Sequence, residues 1–337
     1  MDKRPFVAVT IGDIAGIGPE IVVKALRMND VYTICKPIVI GERFVVEEII
    51  DRLGVEVKVN EVTMPSQGSY VPNTINIMSS NTLEKHTIDY GEIRGEYGKA
   101  AYQFILKAVT MAHEGLIDAI ATAPINKESL KAGDIKDIGH TEMFARLSNV
   151  DDPLTMFEVE TMRIFFLTRH VSMKEMIELI TEERVFNYIK RSQVALQRLG
   201  VQNPTIAVAA LNPHAGENGL FGDEERKQIK PAIERAKHLG MKVDGPIPAD
   251  SVFHKALNQQ YDAVLSLYHD QGHIAAKVAN FEKTVSITHD LPYLRTSVDH
   301  GTAFDIAGRG IASETSMTEC IKAAANYATM KKIKEVQ

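Results

Sequence analysis

The chain has 337 residues, of which 45% are hydrophobic and 24% charged, the composition of a globular protein with a sizeable core. Its formal net charge of -6, without basic runs, argues against nucleic acid as the main partner. The N-terminal apolar run is interrupted by Asp13 and glycines, and no stretch of about 18 uncharged apolar residues occurs, so neither a signal peptide nor a membrane span is predicted. We therefore expect a cytoplasmic protein with no membrane and no nucleic-acid partner.

The first half alternates short apolar runs with longer helical patterns, which is typical of an α/β protein with a largely parallel sheet. In chain order, the patterns predict a strand at 6–11, a helix at 19–27, a strand at 36–41, a helix at 95–115 and a strand at 117–125. The segment GDIAGIGPE joins the first strand to the first helix, and its spacing matches neither the dinucleotide fingerprint nor a Walker loop. It is either an anion site at a helix N-terminus or a structural turn.

The second half repeats this alternation. The patterns predict strands at 163–170, 205–214 and 262–270, helices that begin at Met173 and Glu224, and a C-terminal helix at 316–336. No linker or repeat separates the two halves.

A histidine is the last or next-to-last residue of each of these three later strands: His170, His214 and His269. Because ligands of open α/β sheets bind beyond the carboxyl ends of the strands, we expect the three imidazoles at one edge. Imidazole suits Zn²⁺ and other divalent transition metals, and three ligands with an open position are typical of a catalytic site. The alternative is that each histidine caps its strand and bonds a nearby carbonyl.

Other polar residues near these strand ends are candidates for chemistry. Asp270 and Asp250 could orient a metal ligand, bind the metal or move a proton, although either could be a plain turn residue. Lys277 and Arg295 would make a suitable clamp for a carboxylate and a phosphate, although such residues are usually solvated surface.

Seven motifs in order resemble the 4-hydroxythreonine-4-phosphate dehydrogenase family over essentially the whole chain: GDIAGIGPE, TAPINK, GHTE, LNPHAGENG, PADSVF, YHDQG and LPYLRTSVDHGTAFDIAGRG. The last is also similar to the cofactor loop of isopropylmalate and isocitrate dehydrogenases. The resemblance implies two α/β/α domains of that dehydrogenase type, with the active site in the cleft between them. We place the first domain at 1–138 plus 303–337 and the second at 139–302.

The resemblance also implies a site. One divalent ion (Zn²⁺, Mg²⁺, Mn²⁺ or Co²⁺) is expected on the three histidines, NAD is expected as cofactor, and the site is expected to be shared across a homodimer. The expected substrate contacts are His140, Thr141, Lys277, Ser286 and Arg295. The expected cofactor site is lined by residues 300–307, including His300, Gly301, Thr302, Ala303 and Asp305.

Two departures concern the substrate pocket. Ser286 stands where the biosynthetic enzymes have asparagine, and Asp290 stands where a glycine is commoner. The segments HAGENGLFGDEE, YHDQGHI and HGTAFDIA look closer to the second branch of the family, which oxidises D-threonate or D-erythronate 4-phosphate. We therefore expect NAD- and metal-dependent oxidation and decarboxylation of such a 4-phosphorylated 3-hydroxy acid to dihydroxyacetone phosphate and CO2.

Three alternatives stay open. The first is the biosynthetic enzyme itself, which acts on 4-hydroxy-L-threonine 4-phosphate in pyridoxal phosphate biosynthesis. The second is a metal-dependent hydrolase with the same three histidines, and the third is a non-catalytic sugar-phosphate-binding protein.

Overall fold

The computed structural model describes residues 2–335, with side chains as far as residue 330. The chain forms two compact units, one made of Met1–Pro153 and Val285–Gln337 and the other of Leu154–Thr284. The second unit lies inside the range 139–302 that we assigned to the second domain. Within the described residues, no helix combines the length and the apolar character needed to cross a membrane.

The strands are β1 (Phe6–Thr10), β2 (Lys36–Gly41), β3 (Lys58–Glu61), β4 (Thr74–Ser79), β5 (Ala119–Thr122), β6 (Thr155–Val159), β7 (Met162–Phe166), β8 (Thr205–Ala209), β9 (Lys242–Ile247), β10 (Ala263–Ser266), β11 (Val285–Thr288) and β12 (Leu294–Val298). The α-helices are α1 (Gly18–Ala25), α2 (Asn29–Ile34), α3 (Arg43–Leu53), α4 (Gly95–His113), α5 (Lys127–Ala132), α6 (His140–Leu147), α7 (Met173–Leu179), α8 (Glu182–Arg198), α9 (Lys230–His238), α10 (Ala249–Leu257), α11 (His269–Asn280) and α12 (Thr315–Glu335).

In the first unit the strand order is β3-β4-β2-β1-β5-β12-β11, parallel except for the antiparallel pair of β11 and β12. Helices α1, α2, α3 and α12 pack with one another, and α4, α5 and α6 form a second group. Two helix layers explain why β1 is apolar at successive positions, since Val7, Ala8 and Val9 are fully buried. Thr10 pairs with Thr122 of β5, so the loops that follow these two strands leave from the same edge.

In the second unit the order is β6-β7-β10-β8-β9, with β10 parallel to both β7 and β8. Helices α10 and α11 pack on this sheet, and their buried residues form a core with those of the strands, including Phe157, Ile164, Val252 and Val264. Because β7, β8 and β10 are parallel neighbours, their carboxyl ends lie at one edge of the sheet. The α/β fold class and the predicted strand and helix order are thus observed.

The predicted strand ends differ in one respect. Strands β7, β8 and β10 end at Phe166, Ala209 and Ser266, so the histidines lie in the segments that follow. The apolar pattern is longer than the hydrogen-bonded strand because Leu167, Ala210 and Leu267 stay fully buried. The C-terminal helix is observed at Thr315–Glu335, and Val336, the last residue of its predicted range, lies outside the described residues.

Candidate active site

His170 and His269 lie together beyond the carboxyl ends of the neighbouring strands β7 and β10. Their ring centroids are 5.9 Å apart, and both line a cavity of about 310 Å³. Asp270 lines the same cavity. The structure therefore brings together two of the three expected metal ligands and one of the two candidate proton carriers.

His269 is the first residue of α11, and its orientation is constrained on two sides. Its Nδ1 donates a 2.6 Å hydrogen bond to Asp270 Oδ1, which leaves Nε2 for a ligand. Its ring stacks on that of His273 with the centroids 3.6 Å apart. Gly272 lets α11 approach β7 closely, because a Cβ there would lie 2.5 Å from the Phe166 ring.

His273 supports the ring of His269 and was not among the residues predicted from the sequence. Its ring lies 4.4 Å from that of Phe157 and 4.6 Å from that of Phe166, and its Nδ1 donates a 2.8 Å hydrogen bond to the His269 carbonyl. Burial is the main cause that lowers the pKa of His273 to about 4. The four-residue spacing of the two histidines on one helix was the available signal.

His214 follows β8, the other neighbour of β10, and begins a run of left-handed residues, His214–Asn218. Asp250 is exposed in the first turn of α10, after β9. The imidazole donors at three adjacent strand ends suit a divalent transition metal. In the described part of the chain, however, no three His, Cys, Asp or Glu side chains are already arranged to hold a metal ion. The three-histidine metal site therefore stays a prediction.

Arg295, in the first unit, is a buried cation whose hydrogen bonds go to neutral oxygens. Its side chain donates to Thr288 Oγ1 at 3.0 Å and to Thr122 Oγ1 at 2.8 Å, and its guanidinium lies 5.1 Å from the ring centroid of Phe144. The residue is 2% exposed, and its Nε has no hydrogen-bond partner. Burial lowers the pKa of Arg295 to about 10.

His140, the first residue of α6, packs against the same phenylalanine. Its ring centroid is 6.2 Å from that of Phe144, and its buried Nε2 has no hydrogen-bond partner. Burial first, and the charge of Arg295 second, hold the pKa of His140 well below its usual value. A buried positive charge with unused nitrogens beside it is an arrangement that suits an anion. Thr141 follows His140 on α6.

The other expected substrate contacts are placed as follows. Lys277 is half-buried near the end of α11, with its Nζ 5.4 Å from the Phe281 ring centroid. Ser286 is half-buried on β11 opposite Ser297 of β12.

The expected cofactor loop packs on GDIAGIGPE. Ile17 N donates a 2.9 Å hydrogen bond to the Thr302 carbonyl, and a Cβ on Gly16 would lie 2.8 Å from the Thr302 side chain. Thr302 is buried, His300 is half-buried, Gly301 and Asp305 are exposed, and Ala303 has a positive φ of 42°. These contacts give GDIAGIGPE a packing role, and the anion site at the helix N-terminus stays a prediction.

An ion pair on α1 holds the residues that follow that loop. The Glu20 carboxylate accepts hydrogen bonds from Gly310 N at 3.1 Å and Ala312 N at 2.8 Å. Lys24 Nζ pairs with Glu20 at 2.8 Å and donates to the carbonyls of Gly310 and Ala312 at 2.9 and 2.7 Å. The two side chains thus satisfy the backbone N–H and C=O groups of the same two loop residues.

Residues 33–324 match the model of the family described as pyridoxal phosphate biosynthetic protein PdxA. The chain belongs to this family. It is 54% identical over 328 residues to a Halalkalibacterium halodurans protein and 53% identical over 327 residues to one from Clostridium botulinum, and both alignments cover 97% of this chain and 98% of the relative. Each of these relatives carries the name "Putative D-threonate 4-phosphate dehydrogenase".

Comparison with a solved structure supports the same family. The 4-hydroxythreonine-4-phosphate dehydrogenase of Klebsiella pneumoniae superposes with a TM-score of 0.90 at 37% identity, covering 97% of this chain and 98% of that one. The expected family and its α/β fold are confirmed, and these relatives are named as dehydrogenases.

Proposed function

We propose that the protein is an NAD- and divalent-metal-dependent dehydrogenase that oxidises and decarboxylates D-threonate 4-phosphate or D-erythronate 4-phosphate. The observation that carries this proposal is the buried Arg295 beside His140, which together offer positive charge and unused nitrogens to a phosphate. The relatives above 50% identity, named for D-threonate 4-phosphate, support the sugar-acid substrate over the amino acid of the biosynthetic enzymes. Ser286, in place of asparagine, belongs to the same pocket in this proposal.

The proposed reaction has two steps. The C3 hydroxyl loses its proton to a side chain of the protein, and the hydrogen on C3 passes as hydride to NAD⁺, which gives a 3-keto acid and NADH. The C1–C2 bond then breaks, CO2 leaves, and protonation at C2 yields dihydroxyacetone phosphate. His170, His214 and His269 would hold the divalent metal, which supplies Lewis-acid stabilisation of the negative charge that develops on the substrate oxygens.

Other residues have proposed roles in proton transfer, substrate binding and cofactor binding. Asp270 is the proposed proton acceptor because its carboxylate is exposed in the His269 cavity, and Asp250 is the second candidate. Arg295, His140, Thr141, Lys277 and Ser286 are proposed to bind the substrate. Binding energy from the phosphate, remote from C3, orients the reacting carbon. Residues 300–307 are proposed to bind NAD, with Thr302 held by Ile17 and the residues that follow, Gly310 and Ala312, held by Glu20.

The proposed active form is a homodimer with a shared active site. Ile274, Val278 and Phe281 on and directly after α11 are 61%, 81% and 62% exposed, at spacings that place them along one face. A second copy of the chain is the proposed cover for this apolar stripe. Since the same helix begins at His269 and carries Lys277, burial of the stripe would bring the partner close to the site.

The experiment that tests the reaction is product analysis. Purified protein with NAD⁺, a divalent metal and D-threonate 4-phosphate should release NADH, CO2 and dihydroxyacetone phosphate in equal amounts. Release of inorganic phosphate without NADH would instead identify a hydrolase, and ligand-induced stabilisation without turnover would identify a binding protein.

A further inference from the structure

The segment that begins at His214 has an unusual backbone. The φ angles of His214–Asn218 are all positive, between 39° and 76°, and only Gly216 in this run is a glycine. Left-handed backbone costs a non-glycine residue roughly 1–2 kcal/mol. Such a run persists only where surrounding groups hold it, and strained segments of this kind cluster at functional sites.

Glu225 is one of the groups that hold it. Its carboxylate is 2% exposed and accepts hydrogen bonds from Leu211 N at 2.9 Å, Asn212 N at 2.6 Å and Asn212 Nδ2 at 2.9 Å. It also reaches the strained run itself, because a Cβ on Gly216 would lie 2.8 Å from Glu225 Oε2. Glu225 opens a π-helical turn, Glu225–Ile229, a local irregularity that often accompanies function.

Gln271 holds the preceding residue from a different helix. Its Nε2 donates a 2.8 Å hydrogen bond to the Ala210 carbonyl, and its Oε1 accepts from Leu267 N at 2.8 Å. Gln271 lies on α11, two residues after His269, and is 9% exposed. It therefore ties the segment that leads into His214 to the segment that leads into His269.

We propose that Glu225 and Gln271 act as positioning residues that fix the His214 segment relative to His269, a pair that we call the brace. This inference rests on the proposed function, in which these two histidines are metal ligands. Ala210, Leu211 and Asn212 are held by the brace at successive backbone groups. The brace keeps the His214 segment ordered without a ligand, so binding of the metal does not have to order it.

The test compares metal-free variants in two measurements. Glu225→Gln keeps an acceptor for the two backbone N–H groups but removes the charge and turns an amide towards Asn212 Nδ2. Gln271→Met removes the hydrogen bonds of this side chain to Ala210, Leu267 and Ser266 with little change in size. Glu234→Gln, at an exposed ion pair on α9, is the matched control.

The first measurement is amide hydrogen exchange over residues 211–219 without metal, with far-UV circular dichroism as the check of folding. The second is titration with Co²⁺ alone. We expect Glu234→Gln to have the amide exchange rates and the Co²⁺ affinity of wild type. We expect each brace variant to exchange faster in this segment and to bind Co²⁺ about 10–100-fold more weakly.

Three other outcomes would contradict the role of the brace. Unchanged Co²⁺ affinity in both brace variants would overturn the inference and leave the proposed metal site intact. Failure of the wild-type protein to bind Co²⁺ would overturn the metal site and, with it, the role given to the brace. Slow exchange in the brace variants, equal to wild type, would show that other groups hold the segment.

Discussion

Arg295 Nη2 donates a 2.8 Å hydrogen bond to Thr122 Oγ1, an uncharged acceptor at the end of β5. A guanidinium that is 2% exposed and bonded to hydroxyl groups has lost its hydration without gaining a counter-charge from these partners. Binding of a phosphate would supply that charge. Arg295 is therefore expected to lower the free energy of unfolding of the ligand-free protein. In the complex it is expected to contribute to the free energy of phosphate binding.

Replacing Arg295 tests this trade-off. Arg295→Met keeps much of the volume but removes the charge, so we expect the free energy of unfolding of the ligand-free variant to equal or exceed that of wild type. We expect kcat/KM for the phosphorylated acid to fall at least about 100-fold, since the proposed charge-assisted contact with the phosphate is lost. Urea unfolding and NADH formation measure the two quantities. A strongly destabilised variant with unchanged kcat/KM would reverse the interpretation.

His140 predicts a pH dependence of stability. Its pKa is held well below the usual value, so the unfolded chain takes up a proton at His140 below about pH 6.5 while the folded chain does not. Stability from the neutral imidazole is therefore present above that pH and is lost as the pH falls. Relative to His140→Asn, wild type should lose up to about 1.4 kcal/mol for each pH unit below about 6.5. Urea unfolding of both proteins at several pH values checks this, and parallel curves would contradict it.

Glu20 predicts a link between α1 and cofactor affinity. Glu20→Gln leaves Lys24 without its buried counter-charge, and loss of one member of a buried pair typically costs about 3–5 kcal/mol. We expect lower stability and a Kd for NAD⁺ raised about tenfold or more, because Gly310 N and Ala312 N bond different carboxylate oxygens and the Gln side chain keeps only one acceptor. Glu47→Gln, from the exposed pair with Arg43, is the control and should change neither quantity measurably. Unaltered NAD⁺ affinity in a folded Glu20→Gln protein would contradict the proposed role of Glu20 in cofactor binding.

The α11 stripe predicts the oligomeric state. Val278→Asp places a charge on an 81% exposed residue, so the isolated subunit should keep its fold. If a second copy covers the stripe, this substitution should convert a dimer to a monomer in sedimentation velocity and abolish turnover. Val194→Asp on α8, at a residue that is 38% exposed, is the control for the same chemical change. A variant that sediments like wild type would place the interface, if any, elsewhere.

The sequence was sufficient for the elements whose pattern is local. The apolar run at Phe6–Thr10 and the helical period over Gly95–His113 identify β1 and α4, because burial of one strand or one helix face repeats within a few residues. The histidine positions followed from strand order, and His170 and His269 do meet at one cavity.

The missed features depend on residues far apart in sequence. Glu20 bonds Ala312, 292 positions away, and Gln271 bonds Ala210, 61 positions away. Neither contact has a periodic signal, because each depends on which loops the sheet topology brings together. The left-handed run from His214 was also not predicted, since Ala215 and Glu217 within it have side chains that give no sign of positive φ.

The most direct test of the proposed function is a comparison of kcat/KM by NADH absorbance for three substrates, with NAD⁺ and the same divalent metal. These are D-threonate 4-phosphate, D-erythronate 4-phosphate and 4-hydroxy-L-threonine 4-phosphate. We predict that one of the two sugar-acid phosphates is the preferred substrate and that chelation of the metal abolishes its oxidation. A higher kcat/KM for the amino acid would contradict the proposed substrate and place the enzyme in pyridoxal phosphate biosynthesis.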